Sequence, residues 1–279
     1  WHSAPVALAG TVITSANRKI RVNWKGRTAH AGNSPWDGRS ALDAAELFAH
    51  GVNLMREHVE PTARMHYIYE IAGVAPNIVP DEARIWMTAR DITSAKVDAT
   101  TEWLGQLATG AALGTQTQAD FQVELGMAEM IPNETLAIRV FEHLRHMPLN
   151  WSDAEQSFAK ACQKEMGLLE TGLATRSMPF IKDMTVGASS DVGDVTWITP
   201  VALFGWPTLP QGVSLHSWAV TACGGMSIGD KGSLSAATIL TAVGYDLLTE
   251  PELRTQAKAE LQRRLNGRNY QAVMNLVPA

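Results

Sequence analysis

An α/β protein carrying an α+β ferredoxin-like sandwich over residues 16–130 is the fold the sequence predicts, and three features predict it. Short segments in which apolar and polar residues strictly alternate mark half-buried strands. Two longer segments whose apolar residues recur every three or four positions mark helices. Their order, β-α-β-β-α-β, is that of a split βαβ unit, in which two helices cover one face of a four-stranded antiparallel sheet.

The first strand is carried by Ile20, Val22 and Trp24 alternating with Arg21, Asn23 and Lys25. After the turn-rich GNSPWDG, Ser40 is placed to cap a helix whose Ala41, Ala45, Phe48, Val52 and Met55 form one apolar stripe. Met65, Tyr67, Tyr69 and Ile71 alternate in a second strand, the loop AGVAPNIVPDE follows, and Ile85, Met87 and Ala89 alternate in a third. From Ser94 a helix shows Val97, Leu104, Leu107 and Ala111 on one side, and Phe121, Val123 and Leu125 make the fourth strand. Further on, Asn133 and Asp153 are read as caps of two helices, PVALFGW as a strand followed by a loop with His216, and Ser233 to Leu248 as a helix. A last helix is expected to open at Thr249-Glu250-Pro251-Glu252, with Thr249 as cap and Leu253, Ala257, Leu261 and Leu265 inward. The second region thus reads as α/β, with too few strands for a self-sufficient doubly wound sheet.

A chain of 279 residues, 46% hydrophobic and 18% charged, can bury one or two cores and is not of disordered composition. Its formal charge of -5 gives no basic field for nucleic acid, and its longest apolar stretches fall well short of a membrane span. Neither nucleic acid nor membrane is an expected partner. Cys162 and Cys223 lie far apart in sequence with no CxxC spacing, which reads as two reduced thiols in a cytoplasmic protein. The chain opens on Trp1-His2 inside what reads as a working segment, so a fragment is expected.

Nucleotide-binding glycine motifs, GxSxG and HExxH are absent. What remains are polar residues in turn-rich segments, each with a plain reading. His2 reads as a terminal residue or a ligand, and His216 as a satisfied loop histidine or a ligand. His30 suits a hydrogen-bonded structural role or catalysis, and Asn77 suits fixing a turn before Pro80. Arg90 reads as a solvated strand-end arginine, and Asp191 and Asp194 as loop carboxylates or a helix cap.

Taken together, WHSAP, GRTAHAGNSPWDGRSALDAAEL, APNIVPDEARIWMTARD, SSDVGDVTW and SLHSW resemble, in order and spacing, the metal-dependent amidohydrolases that include aminoacylase and carboxypeptidase G. The likeness covers nearly the whole chain and points to the B-type subunits of the aminobenzoyl-glutamate hydrolases. It implies that residues 16–130 are a lid and dimerisation domain inserted in an α/β catalytic domain, of which residues 1–15 and 131–279 are the later part.

By that resemblance His2 and His216 are metal ligands of a pair of divalent ions, manganese or zinc. His30 reaches into the neighbouring subunit's site to hydrogen-bond the oxyanion, which makes a homodimer functional. Asn77 and Arg90 hold the substrate, Arg90 gripping a carboxylate with two charge-assisted bonds. Ser190 and Asp191 line the pocket. The implied reaction is hydrolysis of an N-acyl amino acid, such as an aryl-acyl glutamate, by a metal-activated water. The family's other ligands and its glutamate base normally precede the WH segment. The chain alone is therefore expected to be inactive, with a second subunit as one possible source of the remainder. A dimerising, non-catalytic substrate-binding module is the alternative, and a small-ligand sensor ranks last.

Overall fold

The computed structural model describes residues 1–273. Along the chain run β1 (His2–Ala4), β2 (Leu8–Thr14), β3 (Ala16–Lys25), α1 (Ala41–Met55), β4 (Arg64–Ala72), β5 (Glu82–Asp91), α2 (Ser94–Thr115) and β6 (Gln118–Met127). There follow α3 (Glu134–Leu144), α4 (Asp153–Glu165), β7 (Ile181–Val186), α5 (Val192–Thr196), β8 (Phe204–Pro207), α6 (Trp218–Gly224), α7 (Ser227–Thr249) and α8 (Pro251–Leu265). These form two compact units. One gathers Trp1–Ile13, Ile131–Thr185 and Val195–Asn269; the other gathers Thr14–Met130, Val186–Asp194 and the segment from Tyr270.

In the second unit the order β3-α1-β4-β5-α2-β6 is the one the periodicities predict, and the strands lie side by side as β4-β5-β3-β6, all antiparallel. Ile20, Val22 and Trp24 are fully buried on the helix-covered face, as are Ala83, Ile85 and Ala89 of the neighbouring strand. Ser40 caps α1 by accepting from the Asp43 amide, and Thr93 does the same for α2 at Lys96. Alanines 41, 44, 45 and 49 let α1 approach the sheet closely, with Phe48 tilted against Trp24 at 5.2 Å. Removing a side chain as deeply buried as Phe48 from water contributes about 2–3 kcal/mol. The opposite face of the sheet is polar. There Arg21 is paired with Glu70 and Glu124, and Arg84 with Glu82.

The first unit is built on a mixed sheet of order β1-β8-β2-β7, in which β1 runs parallel and β2 antiparallel to β8. Phe204 and Trp206 of β8 anchor a core with Val140 and Leu144 of α3 and Ala236 and Ile239 of α7. Three helix boundaries differ from the sequence reading. Asn133 caps α3 as expected, but the cap of α4 is Ser152, not Asp153, in a reciprocal box with Glu155. Helix α7 begins at Ser227, six residues before the apolar pattern does, because its glycine-rich first turns are held by packing: Ile228 and Gly232 are buried there. Thr249 does not cap α8. It ends α7, with its hydroxyl bonded back to the Tyr245 carbonyl. Strands β1, β2 and β7 were not legible in the pattern.

No helix among the described residues is long and apolar enough to cross a membrane.

Candidate functional site

His30 stands in the segment between β3 and α1. Reciprocal bonds between Arg27 and Arg39 (2.8 and 2.9 Å) close the base of that segment. Gly26 is required beside it, since a Cβ there would lie 2.0 Å from the Arg39 carbonyl oxygen. The ring of His30 is exposed, and its Nδ1 accepts from the backbone amides of Gly32 (3.2 Å) and Asn33 (3.1 Å). An imidazole nitrogen that accepts cannot carry the proton, so the proton sits on Nε2, which is left as a donor.

Asn77 is brought directly alongside. The Ala31 amide donates to the Asn77 carbonyl at 3.0 Å, His30 bridges to Ile78, and Val79 bonds to Ala29. His30 and Asn77 thus form one exposed patch at the end of the sheet where β5 begins.

Arg90 lies at the other end of β5. Eight residues separate it from Glu82, which at the usual strand rise is about 27 Å, more than any small substrate spans. At that end the GASSDVGD segment is docked: Arg90 donates to the Gly187 carbonyl at 3.1 Å, and Ser15 bonds to Ala188 at 2.9 Å. Ser190 and Asp191 follow Gly187 by three and four residues in this docked segment. Ser190 accepts from the Val192 amide at the start of α5, and Asp194 accepts from the Ala128 amide at 3.1 Å, so that Asp194 is an anchor of the segment. The five predicted residues of this unit thus separate into two groups, His30 with Asn77 and Arg90 with Ser190 and Asp191.

One residue that spacing arguments missed belongs with the second group. Asn17 sits directly opposite Arg90 on β3, is 3% exposed, and has a carboxamide oxygen with no hydrogen-bond partner. The alternation of β3 assigns Asn17 to the polar face, but only the register shows that Arg90 is its neighbour.

In the other unit His2 pairs with Gly205 at the start of β1, and His216 occupies the turn before α6; both are exposed. Nδ1 of His2 donates to the Ser3 carbonyl at 2.6 Å, leaving the Nε2 lone pair free, which is the arrangement of a metal-binding imidazole. A catalytic ion nevertheless needs about three protein ligands, and among the described residues no three His, Cys, Asp or Glu side chains are grouped to hold one. The residues present fit single contributions to a metal site and do not fit a complete one.

Comparison with known proteins sets these groups in context. Residues 15–113 match the family model of the peptidase dimerisation domain. The chain is 33% identical to the B-type subunit of p-aminobenzoyl-glutamate hydrolase from Escherichia coli (strain K12), over 97% of its own length and 62% of that protein. It is 24% identical to the Xaa-Arg dipeptidase of Mus musculus over 90% of its length and 52% of the relative. The chain thus spans between half and two thirds of these relatives. Among solved structures, a hydantoinase/carbamoylase family amidase from Burkholderia multivorans superposes with a TM-score of 0.53 at 14% identity, covering 89% of this chain and 50% of that one. That likeness is one of fold.

Proposed function

We propose that this chain, which carries a peptidase dimerisation domain and is a relative of p-aminobenzoyl-glutamate hydrolase, serves hydrolysis of the amide bond of N-acyl amino acids in a soluble, cytoplasmic homodimer. In this reading residues 16–130 are a ferredoxin-like lid, and the remainder is the later part of an α/β catalytic domain. The names of its relatives support amide and peptide hydrolysis in general.

The observation that carries the reading is the tautomer of His30, whose Nδ1 accepts two backbone amides and whose Nε2 proton is left to donate. A neutral, pre-oriented donor is what a developing oxyanion requires. Arg90 holds the substrate carboxylate, with Ser190 and Asp191 lining the same end. Since about 27 Å of β5 separates Arg90 from His30 and Asn77, these two come to that substrate from the partner subunit. His2 and His216 each contribute an imidazole to a site for divalent ions, manganese or zinc, whose other ligands lie outside the described residues. A second subunit is one source of those ligands.

The test is His30→Ala in the protein as its gene encodes it. Loss of an oxyanion donor costs roughly 2.7–4 kcal/mol, so kcat falls about 100- to 1000-fold with KM little changed. An unchanged kcat rules the role out.

The lack of a three-ligand group among the described residues favours a second reading, a dimerising substrate-binding module without activity of its own. Metal analysis and an activity assay on a preparation of verified mass separate the two.

A further inference from the structure

Register places one row of side chains across the polar face of the β4-β5-β3-β6 sheet. Arg64 on β4 is opposite Arg90 on β5, Arg90 is opposite Asn17 on β3, and Asn17 is opposite Met127 on β6. Residues directly opposed in an antiparallel pair project to the same face. Met65 and Ala89, one position along each strand, are buried on the helix side, so Arg64 and Arg90 share the face turned away from the helices.

Two guanidinium groups opposed on neighbouring strands, about 4.8 Å apart at their backbones, repel each other unless an anion answers them. The other arginines of this face are answered: Arg21 by Glu70 and Glu124, Arg84 by Glu82. Arg64 and Arg90 have no carboxylate partner among the described residues. Among the described residues Arg64 donates to the carbonyls of Pro61 and Ala63, and Arg90 to that of Gly187. Asp91 is adjacent in sequence but belongs to the buried face, where its carboxylate accepts from Thr62 and from the Ile92 amide. Beside this pair the carboxamide oxygen of the buried Asn17 has no partner among the described residues, while its nitrogen reaches Met127 Sδ at 3.9 Å.

A monocarboxylate would satisfy one of these arginines. Two guanidinium groups one strand apart suit two carboxylates held on a short aliphatic spacer. Resting on the proposed role of Arg90 as the grip for the first carboxylate, we propose that Arg64 is a specificity-determining residue that takes a second carboxylate, selecting N-acyl dicarboxylic amino acids.

The experiment compares N-acetyl-glutamate with the near-isosteric N-acetyl-glutamine in the protein as its gene encodes it, for wild type, Arg64→Gln, Arg64→Lys and Arg90→Gln. Arg64→Gln is expected to raise KM for the glutamate compound roughly tenfold to a hundredfold, leave the glutamine compound unchanged, and keep kcat for both. Arg64→Lys restores part of the preference. Undiminished preference in Arg64→Gln, or an equal loss for both compounds, overturns the assignment. Arg90→Gln weakens both compounds if the first-carboxylate role is right, so an unaffected Arg90→Gln sinks that reading instead. Where no hydrolysis is measurable, calorimetric titration of the same two compounds reads the same preference, and its survival in Arg64→Gln is again decisive against Arg64.

Discussion

Cys162 and Cys223, distant in sequence, pack into one core with Leu173, Leu209 and Ile228. Burial, with the Cys162 thiol beside it, pushes the Cys223 thiol up to about 12. The thiolate is the reactive form, and at pH 8 it amounts to about one part in ten thousand for such a group. Iodoacetamide at pH 8 should therefore leave Cys223 unmodified in the native protein and label it in urea, as read by mass spectrometry; rapid native labelling contradicts the packing. At His30 the decisive feature is the identity of the protonated nitrogen. His30→Gln, which keeps an N–H donor without reproducing the ring's two accepted bonds, should recover only part of the kcat lost in His30→Ala.

At the scale of elements, two buried carboxylates tie helices together. Burial alone would raise the Glu155 carboxyl, but Lys231, Ser227 and Ser152 overcome it and bring it down to about 2, linking α4 to α7. Glu260 of α8 behaves likewise: burial opposes, and the amides of Thr135 and Glu134 with Arg264 bring it to about 2, so that it receives the first amides of α3. Both carboxyls are depressed in the folded state. Their stabilisation is fully present above the unfolded value near 4.5 and is lost as pH falls through about 2. Urea midpoints should fall between pH 4.5 and 2, and less steeply in Glu260→Gln, which begins about 3 kcal/mol less stable at pH 7. An equal slope in variant and wild type would remove Glu260 from the account.

For the whole molecule, the decisive quantity is the length of β5. His30 and Arg90 stand at opposite ends of a strand roughly 27 Å long, so a dimer that pairs one chain's His30 with the other's Arg90 makes a definite prediction. His30→Ala and Arg90→Ala chains, each inactive as homodimers, should regain about a quarter of wild-type activity when mixed and reassembled, since half the dimers then hold one intact site. Absence of any recovery in verified mixed dimers places both residues in a single subunit's site and refutes the shared arrangement.

Periodicity alone determined the six elements from β3 to β6, because a sheet with one face against helices and one polar face writes its burial directly into the alternation, as Ile20, Val22 and Trp24 do. It also marked His30, Asn77 and Arg90 as polar residues in or beside turns. Strand β2 escaped because nearly every residue from Leu8 to Thr14 is buried, so no alternation exists, and β1 is too short to carry one. Tertiary structure alone decided which residues meet. The distance between His30 and Arg90, the backbone groups that assign the tautomers of His2 and His30, and the row Arg64–Arg90–Asn17 all depend on register and loop closure. Those are set by pairings between segments far apart in the chain, which no local pattern encodes.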